Sequence, residues 1–99
     1  MWEALYKGKT AVITGSTQGL GEAIARKLTA EKASGITISG RNSERGKALA
    51  EELTQQGTPT IFVRAELENP DECRNLIRKS VEHFGRLDGL VNSAGITTR

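Results

Sequence analysis

The chain has 99 residues, of which 36% are hydrophobic and 26% charged, so it has the composition of an ordinary globular protein and the length of one domain. A net charge of +2 is too small for a nucleic-acid surface, and one cysteine with one histidine forms neither a disulfide nor a zinc site. No apolar run approaches the ~18 residues of a membrane span, and residues 1–10 lack the apolar core of a secretion signal, so we expect a cytoplasmic protein that does not enter membranes.

Strand and helix patterns alternate along the chain. Strands are predicted at residues 9–14, 36–39, 60–64 and 87–92, and helices at 19 to about 33, 43 to about 56, and 70–84. Each crossover takes about 20 residues, which is enough for a helix and too long for a hairpin, so the strands should be parallel with right-handed connections. We therefore predict an α/β fold of Rossmann type over residues 1–99. It should be a three-layer sandwich whose parallel sheet has the order 3-2-1-4 and is truncated after the fourth strand.

The predicted helices carry apolar faces and recognisable ends. Asn42 or Ser43 should cap the second helix and Asn69 the third, while Gly57 and Gly85 should end them. The expected core positions are Gly21, Ile24, Ala25 and Leu28 in the first helix; Gly46, Leu49, Ala50 and Leu53 in the second; and Cys73, Leu76, Ile77, Val81 and Phe84 in the third.

Three glycines lie between the first strand and the first helix, with the spacing G-x-x-x-G-x-G. Gly15 can end the strand abruptly, Gly19 lets the main chain approach a ligand, and Gly21 allows close packing of helix on strand. A helix start with free N–H groups also suits a diphosphate. Glycines serve turns that bind nothing as well, but the position of this loop in the first of three βα units favours nucleotide binding.

Two motifs give the chain a family resemblance. Residues 14–21 read T-G-S-T-Q-G-L-G, which matches T-G-x-x-x-G-x-G, and residues 87–96 read L-D-G-L-V-N-S-A-G-I, which is similar to L-D-x-L-V-N-N-A-G-I. Both are motifs of the short-chain dehydrogenase/reductase family, and the chain resembles the front half of that family over about residues 8–96. The resemblance implies a dinucleotide-binding domain of an oxidoreductase that interconverts alcohols and ketones.

The resemblance also implies which residues contact the cofactor. Glu66 and Leu67 follow the third strand, where the family usually has an aspartate that accepts a bond from the adenine amino group. Asn92, Ala94 and Gly95 should border the ribose, although Ser93 stands where the family more often has asparagine. The diphosphate and the adenosine ribose should be wrapped by Gly15, Ser16, Thr17, Gln18, Gly19, Leu20 and Gly21, with Ser16 and Thr17 near any 2′-phosphate.

Arg41 at the end of the second strand predicts the cofactor. NAD sites place an acidic residue there to bind the ribose hydroxyls, and Gly40-Arg41-Asn42 contains none. The planar guanidinium of Arg41 suits a 2′-phosphate, so NADP is favoured over NAD. The alternative is a solvent-exposed arginine before a helix cap. Gln18 stands where relatives that prefer NADP often have a second basic residue.

The residues that assist hydride transfer in this family are missing from the chain. The family uses a serine and a tyrosine followed four residues later by lysine, whereas this chain has one tyrosine, Tyr6, with threonine at position 10. No catalytic residue or metal ligand is assigned, and we expect the 99 residues alone to be inactive. A small alcohol or carbonyl substrate would need a downstream half.

An uncovered fourth strand should favour self-association. The alternative function is a non-catalytic dinucleotide-binding or interaction module. A phosphate-binding domain of signalling type is less favoured because no acidic cluster follows the strands.

Overall fold

The computed structural model describes residues 6–15, 19–66 and 68–92. Within these residues, strands and helices alternate as predicted. The strands are β1 (Thr10–Thr14), β2 (Gly35–Gly40), β3 (Thr60–Arg64) and β4 (Gly89–Asn92), and the helices are α1 (Gly19–Ala30), α2 (Ser43–Gln55) and α3 (Pro70–Phe84).

The four strands form one parallel sheet with the order β3-β2-β1-β4, which confirms the predicted topology. Thr14 at the end of β1 is level with Ser39 on one side and with Asn92 on the other. Gly40 is level with Arg64 at the end of β3. The carboxyl ends of all four strands therefore meet at one edge of the sheet, where ligands bind in folds of this kind.

The helices cover both faces of the sheet and make three layers. Ile13 packs with residues of α1 and α2, whereas its neighbour Val12 packs with Leu76 of α3. Successive residues of a strand point to opposite faces, so α1 and α2 share one face and α3 lies on the other. All four core positions predicted in α2 are buried. None of the three described helices has the length and hydropathy that a membrane crossing requires.

One predicted core position of α3 is wrong. Val81 is 39% exposed, and its neighbour Ser80 is fully buried instead. The Thr37 hydroxyl of β2 donates to the Ser80 hydroxyl at 2.8 Å. Leu76 and Ser80 are four residues apart and therefore face the sheet together. The buried position is thus the polar Ser80, whereas the apolar pattern predicts Val81, one residue later. The bond to Thr37 satisfies the buried hydroxyl, which removes most of the cost of burying it.

Helix α1 ends three residues earlier than its sequence pattern predicts. Lys32 has a φ of +66°, and the N–H of Ala33 donates to the Leu28 carbonyl at 3.1 Å. The Lys32 N–H donates to the Thr29 carbonyl at 3.0 Å. These two bonds form a Schellman ending. Its left-handed position carries lysine rather than glycine, so composition gave no sign of it.

Strand β4 starts at Gly89 rather than at residue 87 because Asp88 is bound to the start of β1. The Asp88 Oδ2 accepts the Thr10 N–H at 2.8 Å, and the Asp88 N–H donates to the Thr10 carbonyl at 3.0 Å. Hydrogen bonds from the Arg86 side chain, followed by that from the Thr10 N–H, lower the pKa of Asp88. This clamp fixes β4 against β1 at the edge opposite the candidate site.

Candidate functional site

Strands β1 and β4 are joined at their carboxyl ends by Thr14. Its hydroxyl lies 2.9 Å from Asn92 Oδ1 and 3.3 Å from the Val91 carbonyl. Thr14 is buried, with 5% of its surface exposed. Asn92 is therefore held beside the point where β1 turns into the glycine loop. This is also where the chain order of the sheet reverses, with β2 on one side of β1 and β4 on the other.

The glycines of the loop have the backbone angles that the motif requires. Gly15 has a φ of +69° directly after β1, and Gly19 has a φ of +62° at the first residue of α1. Among the described residues, a Cβ atom built on Gly19 meets no heavy atom within 4 Å beyond its chain neighbours and the backbone of α1, so open space lies over this helix start. Gly21 is buried in α1. The first N–H groups of a helix have no acceptor within the helix, so this space fits the diphosphate of a dinucleotide.

Arg41 and Glu66, which follow neighbouring strands, face each other. The Arg41 Nε lies 3.9 Å from Glu66 Oε1, and Arg64 Nη2 donates to Glu66 Oε2 at 3.2 Å. The side chain of Arg41 is 73% exposed and that of Glu66 is 32% exposed. Two guanidinium groups thus flank one half-buried carboxylate at the ends of β2 and β3. The carboxylate competes with any phosphate for Arg41 and can also accept bonds from a ligand.

The position of Glu66 is set by α3. Asn69 caps this helix by accepting the N–H groups of Asp71 and Glu72. The Glu72 carboxylate does not return to the cap residue; its Oε1 accepts the Glu66 N–H at 2.6 Å. Because the Asn69 N–H also donates to the Glu66 carbonyl at 3.0 Å, both backbone groups of Glu66 are held by the helix start.

Charged side chains fix the start of α1 against α2. Arg26 donates to Glu22 at 2.8 Å and to Glu52 at 2.7 Å, and Arg45 lies 3.7 Å from Glu22. The bonds to Glu52 and Glu22 raise the pKa of Arg26, and the bond from Arg26 lowers the pKa of Glu52. The pairs are partly exposed, so their contribution to stability is small. They orient the first turn of α1 relative to the helix that follows Arg41.

The described part of the chain places the predicted site residues as follows. Arg41 and Glu66 are brought together, Asn92 is tied to the strand that precedes Gly15, and Leu20 is 50% exposed on the first turn of α1. Gly15, Gly19 and Gly21 lie at the turn and in the first turn of α1 as described above. Six predicted residues lie outside the described part: Ser16, Thr17, Gln18, Leu67, Ala94 and Gly95.

Three residues with positioning roles were not among the predicted site residues. In the sequence, Thr14 is the first residue of the glycine motif, Glu72 lies near the start of the predicted third helix, and Arg64 is the last residue of the predicted third strand. The signal for Arg64 was available, because Arg64 lies two residues before Glu66 and alternate residues of an extended segment point to the same side. The sequence contains no such signal for Glu72. A glutamate three residues after a helix cap is also what a bond back to the cap residue requires (a capping box), so the residue type does not reveal the bond to Glu66.

Tyr6 lies at the opposite edge of the sheet. Its hydroxyl approaches Gly89 at the start of β4 so closely that a Cβ atom there would collide with it. Burial and then the charge of Asp88 raise the pKa of the Tyr6 hydroxyl. The tyrosine therefore packs as a core residue at the amino ends of the strands, away from Gly15 and Asn92.

Known proteins resemble this chain in sequence and in structure. The family described as "short chain dehydrogenase" matches residues 9–99. 11-beta-hydroxysteroid dehydrogenase 1A of Arabidopsis thaliana is 38% identical over 96 residues, which are 96% of this chain and 27% of that protein. The chain spans between about a quarter and two fifths of the length of the curated relatives it matches.

Solved structures agree with the sequence matches. A dehydrogenase/reductase from Sinorhizobium meliloti 1021 superposes with a TM-score of 0.87 at 39% identity, covering 97% of this chain and 38% of the other. A short-chain dehydrogenase/reductase from Burkholderia phymatum in complex with NAD superposes with a TM-score of 0.81 at 27% identity, covering 86% of this chain and 30% of the other.

Proposed function

This chain belongs to the short-chain dehydrogenase/reductase family, and we propose that it is the dinucleotide-binding part of an NADP-dependent oxidoreductase that interconverts an alcohol and a ketone. The observation that carries the proposal is the arrangement at the carboxyl edge of the sheet. Gly15 and Gly19 with positive φ lie on one side of the switch point, and Asn92 lies on the other, tied to β1 by Thr14.

The diphosphate would lie over the start of α1. The residues that would contact it and the adenosine ribose are Gly15, Ser16, Thr17, Gln18, Gly19, Leu20 and Gly21. The absence of side chains at Gly15 and Gly19 keeps the main chain accessible, and the positive end of the helix dipole attracts the negative charge. Asn92, Ala94 and Gly95 would border the ribose on the far side of the loop.

NADP rather than NAD is favoured by the charges at the ends of β2 and β3. Arg41 is well exposed and offers a planar group for a 2′-phosphate, and no acidic residue follows β2 directly. Glu66 with Leu67 would receive the adenine, since a carboxylate held by its backbone accepts a bond from the amino group. The Burkholderia phymatum structure contains NAD, so a protein with this fold can bind the cofactor that lacks the 2′-phosphate.

The chemistry that the bound cofactor supplies is transfer of a hydride to or from a carbonyl carbon. This chain orients the cofactor but contains no Tyr-x-x-x-Lys segment to exchange the accompanying proton. We therefore expect the 99 residues alone to bind the dinucleotide without turnover. The substrate would bind to residues outside this chain.

Substitution of Gly19 by alanine tests the diphosphate site against a matched control. Gly19 and Gly85 have φ values of +62° and +84°, and a Cβ atom on either meets no heavy atom within 4 Å. Alanine at either position should therefore cost a similar backbone strain of about 1 kcal/mol. Only Gly19 lies at the proposed site, so Gly19→Ala should weaken NADPH binding at least about tenfold, whereas Gly85→Ala should leave it within about twofold.

Fluorescence titration with NADPH measures both variants, and their melting temperatures show whether the strain is comparable. Equal NADPH dissociation constants for Gly19→Ala and the unchanged chain would contradict the proposed site. The control separates this result from general destabilisation.

The second candidate is a non-catalytic dinucleotide-binding or interaction module. It is favoured by the absence of a Tyr-x-x-x-Lys segment from these 99 residues. Sequencing the transcript beyond codon 99 distinguishes the two. A Tyr-x-x-x-Lys segment in frame supports the oxidoreductase, and a stop codon supports the module.

Self-association is a further part of the proposal. Leu90 of β4 is 58% exposed, and Val81 of α3, on the same side of the sheet, is 39% exposed. An edge strand with an exposed apolar side chain pairs readily with another chain. No nucleic-acid partner is proposed because the net charge is only +2. The single cysteine agrees with a reducing compartment, and we propose the cytoplasm.

A further inference from the structure

The free edge of β3 has backbone groups that no part of the described chain uses. The ladder between β2 and β3 begins with the Ile36 N–H donating to the Pro59 carbonyl at 3.0 Å and ends with the Ala65 N–H donating to the Gly40 carbonyl at 3.4 Å. In a parallel pair, alternate residues of a strand bond to the same neighbour. The odd-numbered residues of β3 therefore face β2, and the N–H and C=O groups of Phe62 and Arg64 point outward.

The beginning of this edge is closed by α2, and the remainder is open. The Thr54 hydroxyl accepts the Thr60 N–H at 3.0 Å and donates to the Thr60 carbonyl at 3.3 Å. A side chain thus takes the place of a neighbouring strand at Thr60. No such substitute is found at Phe62 or Arg64 within the described residues. Two outward donors and two outward acceptors remain in one row, with the spacing of a strand ladder.

A groove of about 720 Å³ runs along this open stretch. All four residues from position 61 to position 64 line it, which places it at the strand edge rather than over one face. Phe62 belongs to the core on the α2 side and Ile61 to the core on the α3 side. The groove is thus bounded by α2 along one wall and by α3 along the other. We call it the β3-edge groove.

Each wall of the β3-edge groove carries a lysine without a carboxylate partner. Lys47 of α2 and Lys79 of α3 line the groove, are exposed, and form no ion pair within the described residues. The one acidic residue of the lining, Glu82, is paired with Arg78 at 3.0 Å. The groove therefore combines unpaired backbone groups, an apolar floor and an excess of positive charge on both sides.

We propose that the β3-edge groove binds an extended acidic peptide segment of a partner protein, which adds to the sheet as a strand beside β3. The peptide backbone would pair with the outward groups of Phe62 and Arg64, as in other cases of strand addition. Successive peptide side chains point to opposite faces, so acidic residues at adjacent positions would reach Lys47 and Lys79. This site shares Arg64 with the surroundings of Glu66, but peptide binding there requires neither the cofactor nor the reaction.

Fluorescence anisotropy with a defined peptide tests the proposal. The probe is a fluorescein-labelled octapeptide, Thr-Glu-Glu-Val-Val-Glu-Glu-Thr, titrated with the chain at low salt and without dinucleotide. Lys47→Glu and Lys79→Glu should each weaken binding about fivefold, because each reversal replaces an attraction with a repulsion. Lys32→Glu is the matched control, since Lys32 is exposed, has no ion pair within the described residues and lies outside the groove; it should change binding less than about twofold.

The backbone pairing has its own test. The N–H of Arg64 points outward, and proline is tolerated at such a position of an edge strand. Arg64→Pro should therefore leave the far-UV circular dichroism unchanged but weaken peptide binding at least about fivefold more than Arg64→Ala, which removes the same charge and keeps the N–H. If Arg64→Pro fails to fold, the same peptide N-methylated at alternate residues provides the test and should not bind.

Three results would overturn the proposal. The first is that the N-methylated peptide binds as tightly as the unmodified peptide. The second is that Lys47→Glu and Lys79→Glu weaken binding no more than Lys32→Glu does. The third is that the peptide does not bind, while the chain self-associates and the two lysine reversals abolish this self-association. The last result would assign the groove to a second copy of the chain.

Discussion

Replacement of Arg41 by alanine should remove the preference for NADPH. The magnitude follows from the surroundings of Arg41. A hydrogen bond to a charged group contributes about 1.5–3 kcal/mol. The attraction to Glu66, whose Oε1 is 3.9 Å from Arg41 Nε, opposes this by about 1 kcal/mol at the dielectric of an exposed pair. The net gain of about 0.5–2 kcal/mol corresponds to about a 2- to 30-fold weaker binding of NADPH in Arg41→Ala.

The assay is a pair of fluorescence titrations, with NADPH and with NADH, at one ionic strength. The NADH dissociation constant should stay within about twofold in Arg41→Ala, because NADH has no 2′-phosphate. Arg78→Ala is the matched control: Arg78 is 60% exposed and, like Arg41, pairs with one glutamate, but it lies on α3. It should change neither constant.

Glu66→Gln tests the competition between carboxylate and phosphate. It removes the charge that holds Arg41 and keeps an oxygen that can accept a bond from adenine, so NADPH should bind up to about fivefold more tightly. The reasoning is refuted if the unchanged chain binds NADH as tightly as it binds NADPH. It is equally refuted if Arg41→Ala weakens both cofactors by the same factor.

Three further predictions concern stability and association. Thr37→Val should destabilise the chain by about 1–3 kcal/mol in urea unfolding because the Ser80 hydroxyl stays buried without a partner, and adding Ser80→Ala should recover most of the loss; a double variant as unstable as the sum of the single ones would contradict this. Asp88→Asn should lower the melting temperature at pH 7. The bonds from Arg86 lower the folded-state pKa of Asp88. The difference in melting temperature between Asp88→Asn and the unchanged chain should therefore be complete above the ordinary aspartate pKa of about 3.9 and disappear as the pH falls through the lower folded-state pKa. An unchanged difference at pH 2 would be evidence against the clamp. Leu90→Lys should reduce self-association in sedimentation velocity, because a charge on an edge strand opposes pairing, and an unchanged distribution would exclude β4 as the contact.

Local patterns were sufficient to predict the elements, since every described strand and helix was expected. The crossover lengths indicate parallel strands, and the order β3-β2-β1-β4 is the one expected for a Rossmann-type fold. Helix ends could be predicted where the left-handed position carries glycine, as at Gly57 and Gly85. The end of α1 could not, because Lys32 occupies that position and only its bonding reveals it. The burial of Ser80 could not be predicted for a similar reason. A buried serine needs a hydrogen-bond partner, and its partner, Thr37 of β2, is far from it in the sequence.

The candidate site was predictable as a set of strand ends but not as a set of contacts. The resemblance to a family located Arg41 and Glu66 separately, and their approach to 3.9 Å depends on the register of β2 with β3. The hydrogen bond from the Glu66 N–H to the Glu72 carboxylate depends on the orientation of α3 relative to the end of β3. Such contacts are set by tertiary geometry, which a one-dimensional pattern does not contain.

The most direct test of the account is a two-dimensional ¹H–¹⁵N NMR spectrum of the labelled chain with and without NADP⁺. The account predicts that amide signals of residues 15–21, together with those of Arg41 and Asn92, shift in a saturable way. Signals of Tyr6 and Gly85 at the opposite edge of the sheet should remain in place. A folded chain whose signals for residues 15–21 do not move with millimolar NADP⁺ would contradict the binding of a dinucleotide at this edge.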